Sequence, residues 1–288
     1  MIRDKKLLAL YGLKYHPFQP DIPKEALWTQ PGIDSFFFRI EDLVMQGGFA
    51  MIAGEPGLGK SKILQQLAVR LGRIEDVVVG VMERPQSSVG DFYREMGALF
   101  GVNLSPANRY GGFKALRERW YAHIKTTLMR PLLLIDEAQE MVAACLNELR
   151  LMSSADFDSH SLLTVVLTGD MRLPERFRSS SLLSLGTRLR VRLTLEPLSK
   201  DQLLDYIEHT LNEAGAPQLM NDPLRRTLAE HASGNLRLLN SMAEELLVAA
   251  VTRELPQIDE KLFIEIFSRR APQPRKGRAG QGVSQNGS

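Results

Sequence analysis

The stretch Gly54-Glu55-Pro56-Gly57-Leu58-Gly59-Lys60-Ser61 constrains this chain more than any other part of it. An apolar run precedes it at 49–53. After it, Ile63, Leu64, Leu67, Ala68 and Leu71 recur on one helical face. Strand, glycine-rich turn and amphipathic helix form the setting in which G-x-x-x-x-G-K-[ST] cradles phosphate. Gly54, Gly57 and Gly59 let the backbone curl so that its N–H groups converge, and the helix N-terminus adds partial positive charge. In such a loop the Lys60 ammonium reaches the β- and γ-phosphates and the Ser61 hydroxyl ligates Mg²⁺. Residues 54–61, with Lys62 at the helix start, are therefore expected to bind ATP with Mg²⁺.

The same alternation continues. Apolar runs at 77–82, 132–135 and 162–167 read as strands, and helical patterns separate them. The run Leu132-Leu-Leu-Ile135 is uninterrupted, as a strand covered on both faces should be. Val191, Leu193 and Leu195 alternate with Arg190, Arg192 and Thr194, which suits an edge strand with one solvated side. One helix is expected to align Leu116, Trp120, Ile124 and Leu128. The pattern predicts an α/β class fold, a three-layer αβα core around a parallel sheet. After Pro197 the period is helical, and Ser199-Lys-Asp-Gln202 reads as a capping box. The expected organisation is an irregular, proline- and aromatic-rich N-terminal arm at 1–32 packed on the rest, a nucleotide-binding core at 33–196, a small all-α lid at 197–268, and a disordered basic tail at 269–288.

Bulk properties exclude little. The net charge of +2 neither requires nor forbids a nucleic-acid partner, so any basic surface must be local. A single cysteine, Cys145, allows no internal disulfide and fits a reducing cytoplasm. No apolar stretch approaches the roughly 20 residues of a membrane span, and no leader is evident, so the chain reads as soluble.

The run at 132–135 ends in Asp136-Glu137. A carboxylate at the C-terminal end of a buried strand lies beside the phosphate loop, where Asp136 can hold Mg²⁺ and Glu137 can polarise an attacking water. With further stretches this becomes a resemblance. Tyr11-Gly-Leu and His16-Pro-Phe18, the phosphate loop, Leu-Leu-Leu-Ile-Asp-Glu-Ala-Gln139, Gly186-Thr-Arg188-Leu, Leu195-Glu-Pro-Leu198-Ser and Ser233-Gly-Asn-Leu-Arg237 together resemble AAA+ ATPases of the ExeA-like and TniB/TnsC-like transposition-helper group. The resemblance covers about residues 8–268. It implies that Arg188 is an arginine finger acting on a neighbouring subunit, with Arg190 and Arg192 as competitors. It also implies that Arg237 is a second sensor coupling the lid to the γ-phosphate. The first sensor is normally an asparagine after the fourth strand. Here Thr168 and Asp170 occupy that region, and either can orient the water.

An arginine finger in trans implies a homo-oligomer, either a ring or a helical filament. The resemblance implies duplex DNA as the polymer it encloses. Gln86, Ser87, Arg109, Lys114 and Arg117 are the candidate contacts, since such groups suit phosphates without reading sequence. The implied function is an ATP-dependent regulator of DNA transposition. It assembles on DNA, recruits a transposase with or without a target-selector protein, and disassembles on hydrolysis. The basic residues at 269–278 are a further candidate contact. The alternatives are an ExeA-like secretion-associated ATPase, for which a membrane anchor and a further domain would be expected, a polypeptide-threading machine, and a helicase-loading or replication ATPase.

Overall fold

The computed structural model describes residues 2–84, 88–103, 108–157 and 159–268. Helix α1 (Ile2–Tyr11) and a one-turn 3₁₀ segment (Lys24–Ala26) precede α2 (Ile33–Gln46). The core then runs β1 (Gly48–Gly54), α3 (Lys60–Leu71), β2 (Val79–Met82), α4 (Val89–Phe100), α5 (Arg109–Thr127), β3 (Leu132–Ile135) and α6 (Ala143–Ser153). A short hairpin follows, β4 (Ser154–Ala155) with β5 (His160–Ser161), and then β6 (Thr164–Gly169), α7 (Arg172–Arg176), α8 (Leu183–Gly186) and β7 (Leu189–Leu195). Four helices close the described chain: α9 (Lys200–Ala214), α10 (Asp222–Ala232), α11 (Leu236–Arg253) and α12 (Glu260–Ser268).

The five-stranded sheet has the order β2-β3-β6-β1-β7, and its four neighbouring strand pairs are all parallel. Successive side chains on a strand point to opposite faces, which divides the apolar residues between two cores. Met51, Leu133, Ile135, Val165 and Leu167 face α4, α5 and α6. Ala50, Ile52, Leu132, Leu134 and Val166 face α2 and α3. Both cores are needed because a parallel sheet has no solvated face. Edge strand β7 alternates buried Leu189 and Val191 with exposed Arg190 and Arg192, as its sequence predicts.

A third core joins α9 to α12 and takes in Leu7, Leu13 and Phe18 from the N-terminal segment. Helix α9 opens with the expected capping box, in which the Ser199 hydroxyl accepts from Gln202 N–H and the Gln202 side chain accepts from Ser199 N–H. Among the described residues no helix is long and apolar enough to cross a membrane.

Three expectations change. The N-terminal segment is not irregular throughout. Its first part is α1, which lacks a clear apolar stripe and is fixed instead by docking on α11, with Tyr11 Oη donating to Leu255 O at 2.8 Å. The apolar row of α5 ends at Ile124. Leu128 caps the helix with φ 63° and stands 69% exposed. Two strands start two residues later than their apolar runs: β2 at Val79, and the fourth long strand at Thr164, because Leu162 and Leu163 lead into it from the hairpin. Two-residue strands such as β4 and β5 leave no periodic signal to read.

Candidate ATPase site

The register places the C-terminal ends of three strands side by side. Ala53 pairs with Gly169, and Ile135 with Leu167. Gly54, Asp136 and Thr168 therefore emerge on one edge of the sheet, where ligands of open α/β folds bind. Gly57 and Gly59 have φ of 89° and 94°, a left-handed conformation that side chains rarely adopt. Lys60 opens α3. Its ammonium is buried and donates to the carbonyls of Gly54 at 2.7 Å and Glu55 at 3.0 Å. Burial lowers the Lys60 pKa, and the carboxylates of Glu137, Asp136 and Asp170 oppose that shift, while Arg237 adds to it. The fold thus gathers all four charged partners around the lysine, although they lie far apart in sequence. Leu58 is buried under the loop, while Glu55, Pro56 and Ser61 are exposed. Lys62 turns aside, its ammonium donating to Pro20 O at 2.6 Å.

Each carboxylate of the Asp136-Glu137 pair has its own support. Asp136 Oδ1 accepts from the Thr168 hydroxyl at 2.6 Å and from Glu137 N–H at 2.9 Å. Glu137 sits at φ 50°, ψ 39°. A non-glycine residue pays about 1–2 kcal/mol for that region, and such strain clusters at functional positions. Glu137 Oε2 accepts from the Gln139 amide. Asp170 is held by Arg172, which also pairs with Glu140. The Arg172 hydrogen bond keeps the Asp170 carboxyl below its ordinary range, so its negative charge is compensated before any phosphate arrives. Of the two sensor candidates, Thr168 is thus bound to Asp136 and Asp170 to Arg172. Ser61 and Asp136 supply the hydroxyl and carboxylate oxygens that suit Mg²⁺, a cation that takes few protein ligands and completes its shell with phosphate and water.

The helical region reaches the loop through the start of α11. Asn235 caps that helix, its Oδ1 accepting from Leu238 N–H at 3.1 Å, while its Nδ2 donates to Pro56 O at 3.0 Å. Arg237 N–H donates to Gly57 O at 3.2 Å, and its exposed side chain lies near Lys60. The N-terminal segment ties the same two parts together. Gln66 of α3 donates to Leu27 O, Trp28 O and Thr29 Oγ1, while Trp28 Nε1 donates to Asp205 of α9 at 2.8 Å. Sequence reading missed Gln139, Asn235 and Gln66 as parts of the site. All three act through amide side chains whose partners are set only by the tertiary fold. The Ser-Gly-Asn-Leu-Arg stretch carried the one available signal, since Asn is a favoured helix N-cap.

Arg188 lies elsewhere. It precedes β7, whose Leu189 pairs with Phe49 at the opposite end of β1. At about 3.3 Å per residue, that end is about 17 Å from the phosphate loop, beyond the reach of a side chain. Arg188 and Arg190 line a polar cavity there with Ser153, Ser154, His160 and Ser161. Arg190 donates to Gln46 and Gly47, and Arg192 to Gly186 O.

The candidate DNA contacts are spread over α5. Lys114 is exposed and pairs loosely with Glu118 at 3.7 Å. Arg109 binds the buried carboxylate of Glu148. Arg117 donates to Met152 O at 2.8 Å and stacks over Phe113 and Tyr121. Gln86, Ser87 and the basic residues at 269–278 lie outside the described residues.

Sheet order, phosphate loop, carboxylate-tipped strand and helical region define an ATPase with the P-loop AAA+ fold. Residues 43–177 match the AAA domain. In sequence the chain is similar to the general secretion pathway protein A of Aeromonas hydrophila, with 29% identity over 211 residues. That match covers 72% of this chain and 38% of the relative, so the chain spans well under half of its length. In structure it is similar to the ORC2 protein of Aeropyrum pernix in ADPNP-ADP complexes. There the TM-score is 0.68 and the identity 17%, over 90% of this chain and 72% of the other. It is also similar to Drosophila ORC bound to DNA, with a TM-score of 0.62 and 18% identity over 90% of this chain and 64% of that one. At such identities the likeness to the solved structures concerns the fold.

Proposed function

We propose that this ATPase is a nucleotide-controlled assembly on duplex DNA that regulates transposition, with a transposase, and where present a target-selector protein, as its partners. The observation that carries the reading is the position of Arg188. It stands at the sheet edge opposite its own phosphate loop, so a guanidinium there serves the loop of a second copy. Phosphoryl transfer builds charge on equatorial oxygens, and an arginine in trans stabilises it. In this reading Lys60 and the backbone N–H groups of Gly57 to Ser61 bind the phosphates, and Ser61 and Asp136 would hold Mg²⁺, which would neutralise phosphate charge. Glu137 takes the proton of the attacking water. Arg237, from the helical region, reports on the γ-phosphate. Thr168 holds Asp136, and Asp170 fixes the strand end beside it.

Support for DNA comes from α5. Lys114, Arg119 and the 79%-exposed Tyr110 lie along one helix, a combination suited to backbone phosphates and stacking. Arg109 and Arg117 contribute to that surface only with charge left over from their intramolecular partners. The DNA-bound ORC of Drosophila shares the fold, which is compatible with this use. ATP bound between copies favours assembly, and hydrolysis dismantles it.

A second reading rests on the similarity to the secretion protein of Aeromonas hydrophila. It makes the chain the ATPase part of a secretion-associated machine. An electrophoretic shift assay on duplex DNA, with and without a non-hydrolysable ATP analogue, separates the two. The proposal expects a shift that needs the analogue and weakens steeply with salt. No analogue-dependent shift at low salt would refute it and leave the secretion reading.

A further inference from the structure

We infer that Gln139 is a positioning residue for hydrolysis, holding the Glu137 carboxylate to the end of β6 through a single bridging amide. The inference rests on Glu137 being the base. Gln139 is only 7% exposed and sits in the 3₁₀ turn Ala138–Glu140 that directly follows Glu137. Its Nε2 donates to Glu137 Oε2, and its Oε1 accepts from Asp170 N–H at 3.3 Å. The two ends of an amide are chemically distinct, and here each has one acceptable partner. A backbone N–H only donates, so it takes the oxygen, and a carboxylate only accepts, so it takes the NH₂. Neither a carboxyl nor an apolar side chain of the same length satisfies both ends at neutral pH.

The surroundings are built to hold the amide there. A Cβ at Gly169 would lie 2.4 Å from Gln139 Oε1, so the strand end must be glycine for the amide to approach it. Arg176 of α7 donates to Gln139 O, and to Met141 O at 2.7 Å, which pins the turn from below. Arg172 bridges Glu140 and Asp170 across the same gap. The consequence is a division of labour along one strand. The Thr168 hydroxyl holds Asp136, and the Asp170 N–H, through Gln139, holds Glu137. Any shift of the end of β6 therefore moves both carboxylates at once. Glu137 makes this contact from a left-handed backbone, φ 50° and ψ 39°.

The test is steady-state ATP turnover of the full chain under assembling conditions, for the wild type and for Q139M, Q139E and E137Q. Q139M preserves length and removes both hydrogen bonds. Its kcat is expected to fall about 10-fold or more, a part of the ~10²–10⁴-fold a general base supplies, with KM for ATP within about twofold. Q139E adds a readout that a purely structural role would not move. The introduced carboxyl, when protonated, donates to Glu137 and still accepts from Asp170 N–H. Once ionised it repels Glu137. Two adjacent carboxyls share one proton and release it at a raised pKa. The kcat of Q139E relative to wild type is therefore expected to fall about 10-fold as pH rises from about 6 to about 8. Lys60, Asp136, Glu140, Asp170, Arg172 and Arg176 face this site in both proteins, so the ratio isolates position 139. A folding defect that lowers the active fraction of Q139E alike at every pH shifts this ratio without imitating its slope. A Q139M kcat within twofold of wild type, or parallel pH profiles, overturns the inference. E137Q separates the two levels. If E137Q is inactive while Q139M is active, the bridge alone is wrong. If E137Q still turns over ATP, the base assignment fails and the bridge falls with it.

Discussion

Gly57 and Asn235 are expected to behave as one unit in a double-mutant cycle. Asn235→Ala removes the cap of α11, which contributes about 1 kcal/mol. It also removes the bond to Pro56 O, which contributes about 1 kcal/mol more. The sum is about 2 kcal/mol. Asn235→Ser retains a cap and should lose only about 1 kcal/mol. Gly57→Ala places a side chain at φ 89°, which costs about 1–2 kcal/mol by itself. The added Cβ would also lie 2.3 Å from Asn235 Oδ1, and the asparagine, being a side chain, is the neighbour that yields. Its displacement forfeits the same cap and bond, so Gly57→Ala should cost about 3–4 kcal/mol. In the double variant that second loss has already occurred. The pair should therefore be about 2 kcal/mol less damaging than the sum of the singles. Urea denaturation of the nucleotide-free protein measures all four corners. Additivity within about 0.5 kcal/mol would refute the contact between the phosphate loop and the start of α11.

Two further outcomes follow from the packing. Glu148 is buried and accepts from Tyr93 Oη at 2.6 Å and from Arg109, so Glu148→Gln should lower stability by about 2 kcal/mol through loss of charge-assisted bonds. A loss below about 0.5 kcal/mol in urea denaturation would contradict that role. Burial pushes the Cys145 thiol from 9.0 up to about 11. The folded state holds this proton where the unfolded chain releases it, so the stability it contributes is present below about pH 9 and declines from there to about pH 11. At about pH 8 an aromatic disulfide reagent should leave the native thiol unmodified and label it fully in denaturant. Rapid labelling of the native protein would show that the helix face is open.

Much of this was legible because its physics is local. The phosphate loop needs three glycines, a lysine and a hydroxyl within eight positions. The strand at 132–135 needs four consecutive apolar residues, and β7 needs strict alternation. Each feature writes itself into adjacent letters. Helix α1 does not, because docking on α11 fixes it and not an apolar stripe of its own. Leu128 continues an apolar row by spacing, yet the chain turns left-handed there and leaves it in solvent. Gln139 carries no role that its neighbours in the sequence reveal, since the two groups it joins meet only when β3 and β6 pair. Arg109 and Arg117 read as candidate phosphate contacts, but Glu148 and the carbonyls at the end of α6 engage them. Charge is visible in a sequence, and its partners are not.

The composite site is tested most directly by mixing two inactive variants. Arg188→Ala leaves the phosphate loop, Asp136 and Glu137 intact but removes the guanidinium proposed to serve a neighbour. Glu137→Gln removes the proposed base but keeps Arg188. Each alone should bind ATP and hydrolyse almost none. If a second copy completes each site, random mixing at equal concentrations creates complete sites at roughly one interface in four, and turnover should recover to roughly a quarter of wild type. A mixture no more active than its separate components would contradict the account, and with it the proposal that this ATPase works as an assembly.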